Sequence, residues 1–329
     1  MTPGTLYIVV PCYKEEAALP ETNRQLCSLL QSMIANGEVD GQSRVMYVDD
    51  GSPDDTWQLI EQYSSASNLV CGVKLAANSG HQHALLAGLH SAKTMCDMTV
   101  SIDADLQDDI NVICEMVELY HKGNDIVYGV RQSRETDTFF KRTTALAFYK
   151  VMKWLGVKSV YNHADFRLMS RRAVEQLCRY RERNLFLRGL VPLLGYPSAN
   201  VTYDRKERQA GESKYPLKKM IAFAADGITS FSSFPLRLLL RTGMAFIVVS
   251  VAILIYVLYR YITHDVVPGW ASLMVSIWFV GGCVLSGLGI VGEYIGKIYI
   301  EVKDRPRFNV EKTTWQYHQA NVKESAEKI

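Results

Sequence analysis

Residues 99–109 read TVSIDADLQDD. Thr99 to Ile102 is a short run suited to a buried strand, and it delivers Asp103, Asp105 and Gln107 at its end. In an open α/β sheet, ligands bind outside the carboxyl ends of the strands. Two carboxylates this close repel one another unless a cation lies between them. An all-oxygen set suits Mg2+ or Mn2+, which complete their shells with oxygens borrowed from a substrate diphosphate. The same short string also occurs as a solvated acidic turn, so the rest of the chain has to carry the reading.

Upstream, Leu6 to Val10 (LYIVV) is a fully apolar run closed by Pro11, the pattern of a buried first strand. The loop that follows offers Tyr13 and Glu15, and Leu19 to Ala35 has helical spacing. Val45 to Val48 is a second predicted strand ending in Asp49, Asp50, Gly51 and Ser52, with Asp54 or Asp55 placed to cap a helix near Thr56 to Tyr63. Val70 to Leu75 is a third strand. After Asn78, Ser79 and Gly80 comes a helix from about Gln82 to Ala92, where Ala84 and Gly88 share one face and permit close packing.

Downstream, Ile110 to His121 is a predicted helix and Ile126 to Tyr128 a strand. This alternation predicts right-handed βαβ units in a mostly parallel sheet. A helix around Thr143 to Leu155, a strand-like stretch holding Asp165 and Arg167, a strand at Ala199 to Tyr203 and the charged loop RKERQAGESKY follow. The histidines His81, His83 and His90 have no fourth ligand at convincing spacing and read as polar packing beside the sheet.

Thr242 to Tyr259 has no charged residue in 18 positions and Val266 to Val291 none in 26. Either could span about 30 Å of hydrocarbon as a helix. With the polar turn Arg260 to Asp265 between them they predict a transmembrane hairpin. Arg237 and Arg241 before it, and Lys297, Lys303, Arg305 and Arg307 after it, outnumber Arg260 in the turn, so both termini are expected in the cytoplasm. Residues 1–200 carry 20 Lys and Arg against 23 Asp and Glu, whereas residues 201–241 carry 8 against 4. Leu217 to Leu240 accordingly reads as an interfacial amphipathic segment on anionic lipid, or as a surface helix of the head. A formal net charge of +2 gives no sign of nucleic acid binding. The seven scattered cysteines contain no C-x-x-C pair and fit a reducing compartment. Leu6 to Val10 is too short for the core of a signal peptide. The expected divisions are 1–215 for a catalytic domain, 216–240 juxtamembrane, 241–292 for the hairpin and 293–329 for a cytoplasmic tail.

Three strand ends carrying VPCYKE, VDDGS and DADLQ, in that order, resemble the nucleotide-sugar-binding half of the glycosyltransferase family 2 fold. NSGHQHALLAGL, YNHADFRLMS, GESKY and GEYIGKIYIEVKDRPRF extend the likeness to its polyprenyl-phosphate glycosyltransferase branch, the bactoprenol glucosyltransferases and relatives of dolichol-phosphate mannose synthase. The resemblance implies an α/β, GT-A-like head followed by interfacial helices and the hairpin, in a multi-pass protein of the inner membrane. It implies that Pro11, Tyr13, Glu15 and Asp50, with Asp49 beside them, line the nucleotide-sugar pocket. Asp103 and Asp105 would position ribose, diphosphate and Mg2+ or Mn2+, with Gln107 completing the metal's surroundings. Arg131, Arg142, Arg208, Ser213 and Lys214 would face a lipid phosphate. The chain departs from the pattern in two ways: Asp108 and Asp109 stand where the family often has a Pro, and Leu146 stands where mannose-transferring relatives have a Ser.

The expected reaction is inverting transfer of one sugar, glucose from UDP-glucose, to undecaprenyl phosphate at the cytoplasmic face, for cell-envelope glycan modification. N-acetylhexosamine, mannose or an aminoarabinose derivative are alternative sugars. A phosphate acceptor is largely ionised at neutral pH and needs no strong base. Asp165 would orient acceptor or sugar, or pair with Arg167. A processive polysaccharide synthase is disfavoured by the single hairpin and the lack of a Q-x-x-R-W string, and a sugar-binding scaffold by the complete carboxylate set. Expected partners are a flippase, a downstream glycosyltransferase and further copies of the chain, as a tetramer.

Overall fold

The computed structural model describes residues 3–131, 163–183, 187–204, 234–262 and 269–315. The chain divides into two compact units: Met1–Lys150, Lys158–Lys214 and Arg305–Ile329 form the first, and Val151–Val157 with Tyr215–Asp304 the second. The predicted helix at 143–155, the loop at 205–215 and the amphipathic stretch as far as residue 233 lie outside the described residues.

The first unit opens with the expected alternation: β1 (Leu6–Cys12), α1 (Leu19–Ala35), β2 (Arg44–Asp49), α2 (Thr56–Ala66), β3 (Val70–Leu75), α3 (His81–Ala92), β4 (Met98–Ser101), α4 (Val112–His121) and β5 (Ile126–Arg131). β6 (His163–Ser170), α5 (Arg171–Arg179), α6 (Leu187–Leu193) and β7 (Ser198–Tyr203) follow. With β8 (Val310–Thr313), eight strands form one sheet in the order β7-β5-β6-β4-β1-β2-β3-β8. β1 pairs in parallel with β2 and β4, β2 with β3, and β5 with β7. β6 runs antiparallel between β4 and β5. The sheet is therefore mostly parallel, and its central strands β1 and β2 are buried almost throughout. A Cβ on Gly88 would lie 2.4 Å from Val9 Cγ1 and 2.7 Å from Val48 Cγ2, so α3 approaches the strands as closely as the Ala84 and Gly88 face suggests.

β8 (Val310–Thr313) comes from the stretch assigned by sequence to a tail. It adds an antiparallel edge to β3, with Thr313 opposite Val73 and Lys312 opposite Lys74. Thr314 Oγ1 accepts from Gly72 N (3.0 Å), and Arg307 Nη1 donates to Tyr180 O (2.6 Å). This segment covers what would otherwise be an open strand edge.

The second unit contains α7 (Phe234–Ile262) and α8 (Trp270–Val302). Pro235 falls in the first turn of α7, where its missing N–H is tolerated. Among the described residues one helix, over Phe279–Val302, is long and apolar enough to cross a membrane, and the apolar stretch Leu238–Ile253 of α7 is shorter. A two-span hairpin is thus not shown; the structure has one candidate span. It also continues past Val291, because Glu293, Lys297 and Glu301 are helix formers at i, i+4 spacing and a charge does not end a helix.

Candidate active site

The carboxyl ends of β1 to β4 lie along one sheet edge. Pro11 does not close β1: it is buried within the strand, opposite Val48, and the strand ends one residue later at Cys12, with Tyr13 beyond it exposed. Lys14 N donates to Ser52 Oγ (3.1 Å) and Glu15 N to Thr56 Oγ1 (3.0 Å), which fastens this loop to the one after β2. Asp49 is wholly buried; its Oδ1 accepts from Ser52 N (3.1 Å), and its Oδ2 has no hydrogen-bond partner among the described residues. Burial raises its carboxyl pKa, with the Ser52 hydrogen bonds opposing.

Asp50 accepts from Ser79 N (2.7 Å) and Gly80 N (2.9 Å), one amide to each carboxylate oxygen. Both oxygens therefore support the loop between β3 and α3. Gly51 has φ +65°, and a Cβ there would come within 2.8 Å of the Ala77 and Asn78 backbone. The VDDGS string requires glycine at this point for both reasons.

Beyond β4, Thr22 Oγ1 on α1 donates to Ala104 O (2.7 Å) and fixes the loop between the two carboxylates. Asp105 Oδ1 accepts from Gln107 N (3.2 Å), Gln107 is buried, and Leu106 sits at φ 49°. His81, the first residue of α3, brings Nε2 to 3.5 Å from Asp103 Oδ1 and 3.8 Å from Asp165 Oδ2. Asp165 Oδ1 accepts from Arg167 Nη2 (2.6 Å), and Arg188 donates from Nε to Oδ1 (3.3 Å) and from Nη2 to Oδ2 (3.0 Å). Asp103 and Asp165 thus both face His81, and Asp165 also makes the Arg167 pair. Burial would raise the Asp165 carboxyl, but Arg188 and Arg167 outweigh it and hold the pKa well below the usual carboxylate range. Asp103 moves the other way: burial raises it, His81 opposes, and the carboxylates of Asp165, Asp108 and Asp105 add to the rise.

Arg131 is held by Asp108, whose Oδ1 accepts from Arg131 Nη2 (3.0 Å) and from the Tyr203 hydroxyl (2.7 Å). The departure at Asp108 therefore fixes the Arg131 guanidinium. Arg142, Arg208, Ser213 and Lys214 lie outside the described residues. Sequence reasoning missed Arg188 and set His81 aside. His81 was within reach, because it follows the third strand of a parallel set and so starts its helix at the ligand-binding edge.

The DxD pair fits a divalent cation. It is an all-oxygen set at a strand end, the donor chemistry that Mg2+ and Mn2+ prefer. Among the described residues no group of three His, Cys, Asp or Glu side chains could hold a metal alone, so substrate oxygens would have to complete the shell. The large apolar cleft, about 690 Å³ between α7 and α8, is lined by residues such as Leu239, Phe246, Val280 and Val284, in the second unit rather than among these carboxylates.

Residues 7–178 match the family model described as Glycosyl transferase family 2. The chain belongs to this family and is a glycosyltransferase. It is 54% identical over 306 residues, 93% of this chain and 91% of that protein, to the uncharacterized glycosyltransferase YkoT of Bacillus subtilis. It is 38% identical over 313 residues, 93% of this chain and 97% of that protein, to the SfII prophage-derived bactoprenol glucosyl transferase of Shigella flexneri. Among solved structures, the mannosyltransferase PcManGT from Pyrobaculum calidifontis in complex with GDP-Man and Mn2+ is similar at 17% identity and TM-score 0.44, covering 80% of this chain and 84% of that one. An overlap that loose carries no functional weight.

Proposed function

We propose that the protein transfers one glucose from UDP-glucose to undecaprenyl phosphate at the cytoplasmic face of the membrane, with inversion at the anomeric carbon. The observation that carries this reading is the near full-length likeness to a protein named bactoprenol glucosyl transferase. The site geometry supports it. Asp165, held between Arg167 and Arg188 with a lowered pKa, is a weak proton acceptor. Transfer to a sugar hydroxyl gains much from a base, whereas a phosphate monoester is already largely ionised at pH 7.

In this mechanism Asp103 and Asp105 would hold Mg2+ or Mn2+. The ion, when bound, supplies charge neutralisation as the leaving group departs. Pro11, Tyr13, Glu15 and Asp49 contact the nucleotide, and Asp50 shapes the pocket through Ser79 and Gly80. Arg131, oriented by Asp108 and Tyr203, faces the acceptor phosphate together with Arg142, Arg208, Ser213 and Lys214. α7 and α8 anchor the catalytic unit as a hairpin, in a homo-oligomer, and a separate flippase carries the product lipid across the bilayer to a downstream glycosyltransferase.

The test incubates the purified protein with labelled nucleotide sugars and a short polyprenyl phosphate in Mg2+ or Mn2+. One glucose per lipid is expected. Long polymer would indicate a synthase, binding without turnover a scaffold, and preference for another nucleotide sugar would reassign the donor.

A further inference from the structure

His81 is one of three histidines on α3 that the sequence reading assigned to packing, yet its Nε2 lies near two carboxylates from different strands. The distances to Asp103 Oδ1 (3.5 Å) and Asp165 Oδ2 (3.8 Å) exceed the 2.7–3.2 Å of direct N–H···O hydrogen bonds. Two polar atoms about 3.5 Å apart can both reach a third oxygen at hydrogen-bond distance. A sugar hydroxyl suits the place, because it donates to a carboxylate while accepting from an imidazole N–H.

The surrounding structure holds His81 in position. Asp50 binds the amides of Ser79 and Gly80, immediately before it. His83 Nδ1 lies 2.9 Å from Ser79 O, and Gln82 Oε1 accepts from Leu187 N (3.0 Å). The imidazole itself is half-exposed, with 46% of the side chain accessible. It is a supported side chain facing solvent beside the DxD pair, whereas a packing histidine would be enclosed.

We propose that His81 is a specificity-determining residue that contacts the transferred sugar, sharing one of its hydroxyls with Asp103 or Asp165. This rests on the donor assignment above and is independent of the acceptor. A site built to hydrogen-bond a substrate hydroxyl discriminates strongly against the analogue lacking it.

The test is a cycle between side chain and substrate group, with binding measured calorimetrically in Mn2+ for UDP and for UDP-glucose. UDP-glucose analogues lacking the 2-, 3-, 4- or 6-hydroxyl, one at a time, complete the cycle. The wild type should lose about tenfold in affinity for at least one analogue, about 1.4 kcal/mol. In His81→Ala that penalty should fall below about twofold, with UDP affinity unchanged within about twofold, and His81→Gln should restore part of it. Equal penalties on wild type and His81→Ala, no penalty on the wild type, or an equal loss of UDP and UDP-glucose binding in the variant would each overturn the inference. Transfer to lipid is not read, so a wild type that binds UDP-glucose but glucosylates no polyprenyl phosphate would count against the acceptor alone. A wild type without affinity for UDP-glucose would refute the donor assignment and the role of His81 together.

Discussion

Replacing Asp165 with alanine should destabilise the catalytic unit before it does anything to chemistry. Arg167 is 1% exposed, the largest fully buried side chain described, and Asp165 Oδ1 is 2.6 Å from its Nη2. Removing one partner of a buried ion pair costs about 3–5 kcal/mol, since the other charge stays in the interior uncompensated. Here the loss also leaves Arg167 beside Arg188, a like charge that already pulls the Arg167 pKa down along with burial. At about 2–4 °C per kcal/mol for a domain of this size, the melting temperature should fall by about 6–20 °C. Asp165→Asn keeps the shape and one acceptor oxygen and should fall less. Asp165→Leu combined with Arg167→Met removes both charges and should recover part of the loss. Because the folded pKa of Asp165 is depressed, its stabilisation is full above the ordinary carboxylate value near pH 4 and is lost as pH falls through the folded value. Thermal unfolding by intrinsic fluorescence, repeated below pH 4, measures both effects. A melting temperature for Asp165→Ala within about 2 °C of wild type, with turnover abolished, would refute this reasoning and make Asp165 a reacting group.

Three further substitutions probe the sheet edge. Asp105→Ala should abolish turnover in a protein that melts normally, and near-wild-type rates in saturating Mn2+ or Mg2+ would remove the residue from the diphosphate site. Gly88→Ala places a methyl 2.4 Å from Val9 Cγ1 and should cost about 1–3 kcal/mol by overpacking, measured as a lowered melting temperature with no residue of the site altered. Gly51→Ala meets φ +65°, a strain of roughly 1–2 kcal/mol, and pushes on the Ala77 and Asn78 backbone. It should weaken UDP binding measurably, and unchanged affinity would separate this loop from the nucleotide pocket.

The parts of the fold legible in the sequence are those where one local pattern decides the outcome. LYIVV and MYVDDGS can hardly be other than buried strands, and the structure places them at the sheet's centre, the first running on through Pro11 to Cys12. Gly88 could be read because helix spacing alone puts it beneath Ala84. β8 could not be: VEKT has no strong strand pattern, and its partner β3 lies some 240 residues earlier, with the pairing supported by a Thr314 hydroxyl on Gly72 N. Arg188 was hidden for a similar reason. Nothing in RNLFLRGL announces a partner, and only the fold brings α6 against β6.

The first turn of α3 shows why the site is more than its strand ends. The Asp50 carboxylate, at the nucleotide end, terminates on the amides of Ser79 and Gly80. Gln82 reaches Leu187 N at the head of α6, and Arg188, the next residue, reaches Asp165. His81 lies between these two anchors and faces Asp103. A shift of the Ser79 and Gly80 amides must therefore be taken up between Asp50 and Leu187, and His81 is the residue in that interval whose side chain faces both carboxylates. In the proposed mechanism Asp50 would therefore act on the sugar-transfer end of the site through backbone geometry. This accounts for a carboxylate placed at a strand's carboxyl end that spends both of its oxygens on main-chain amides.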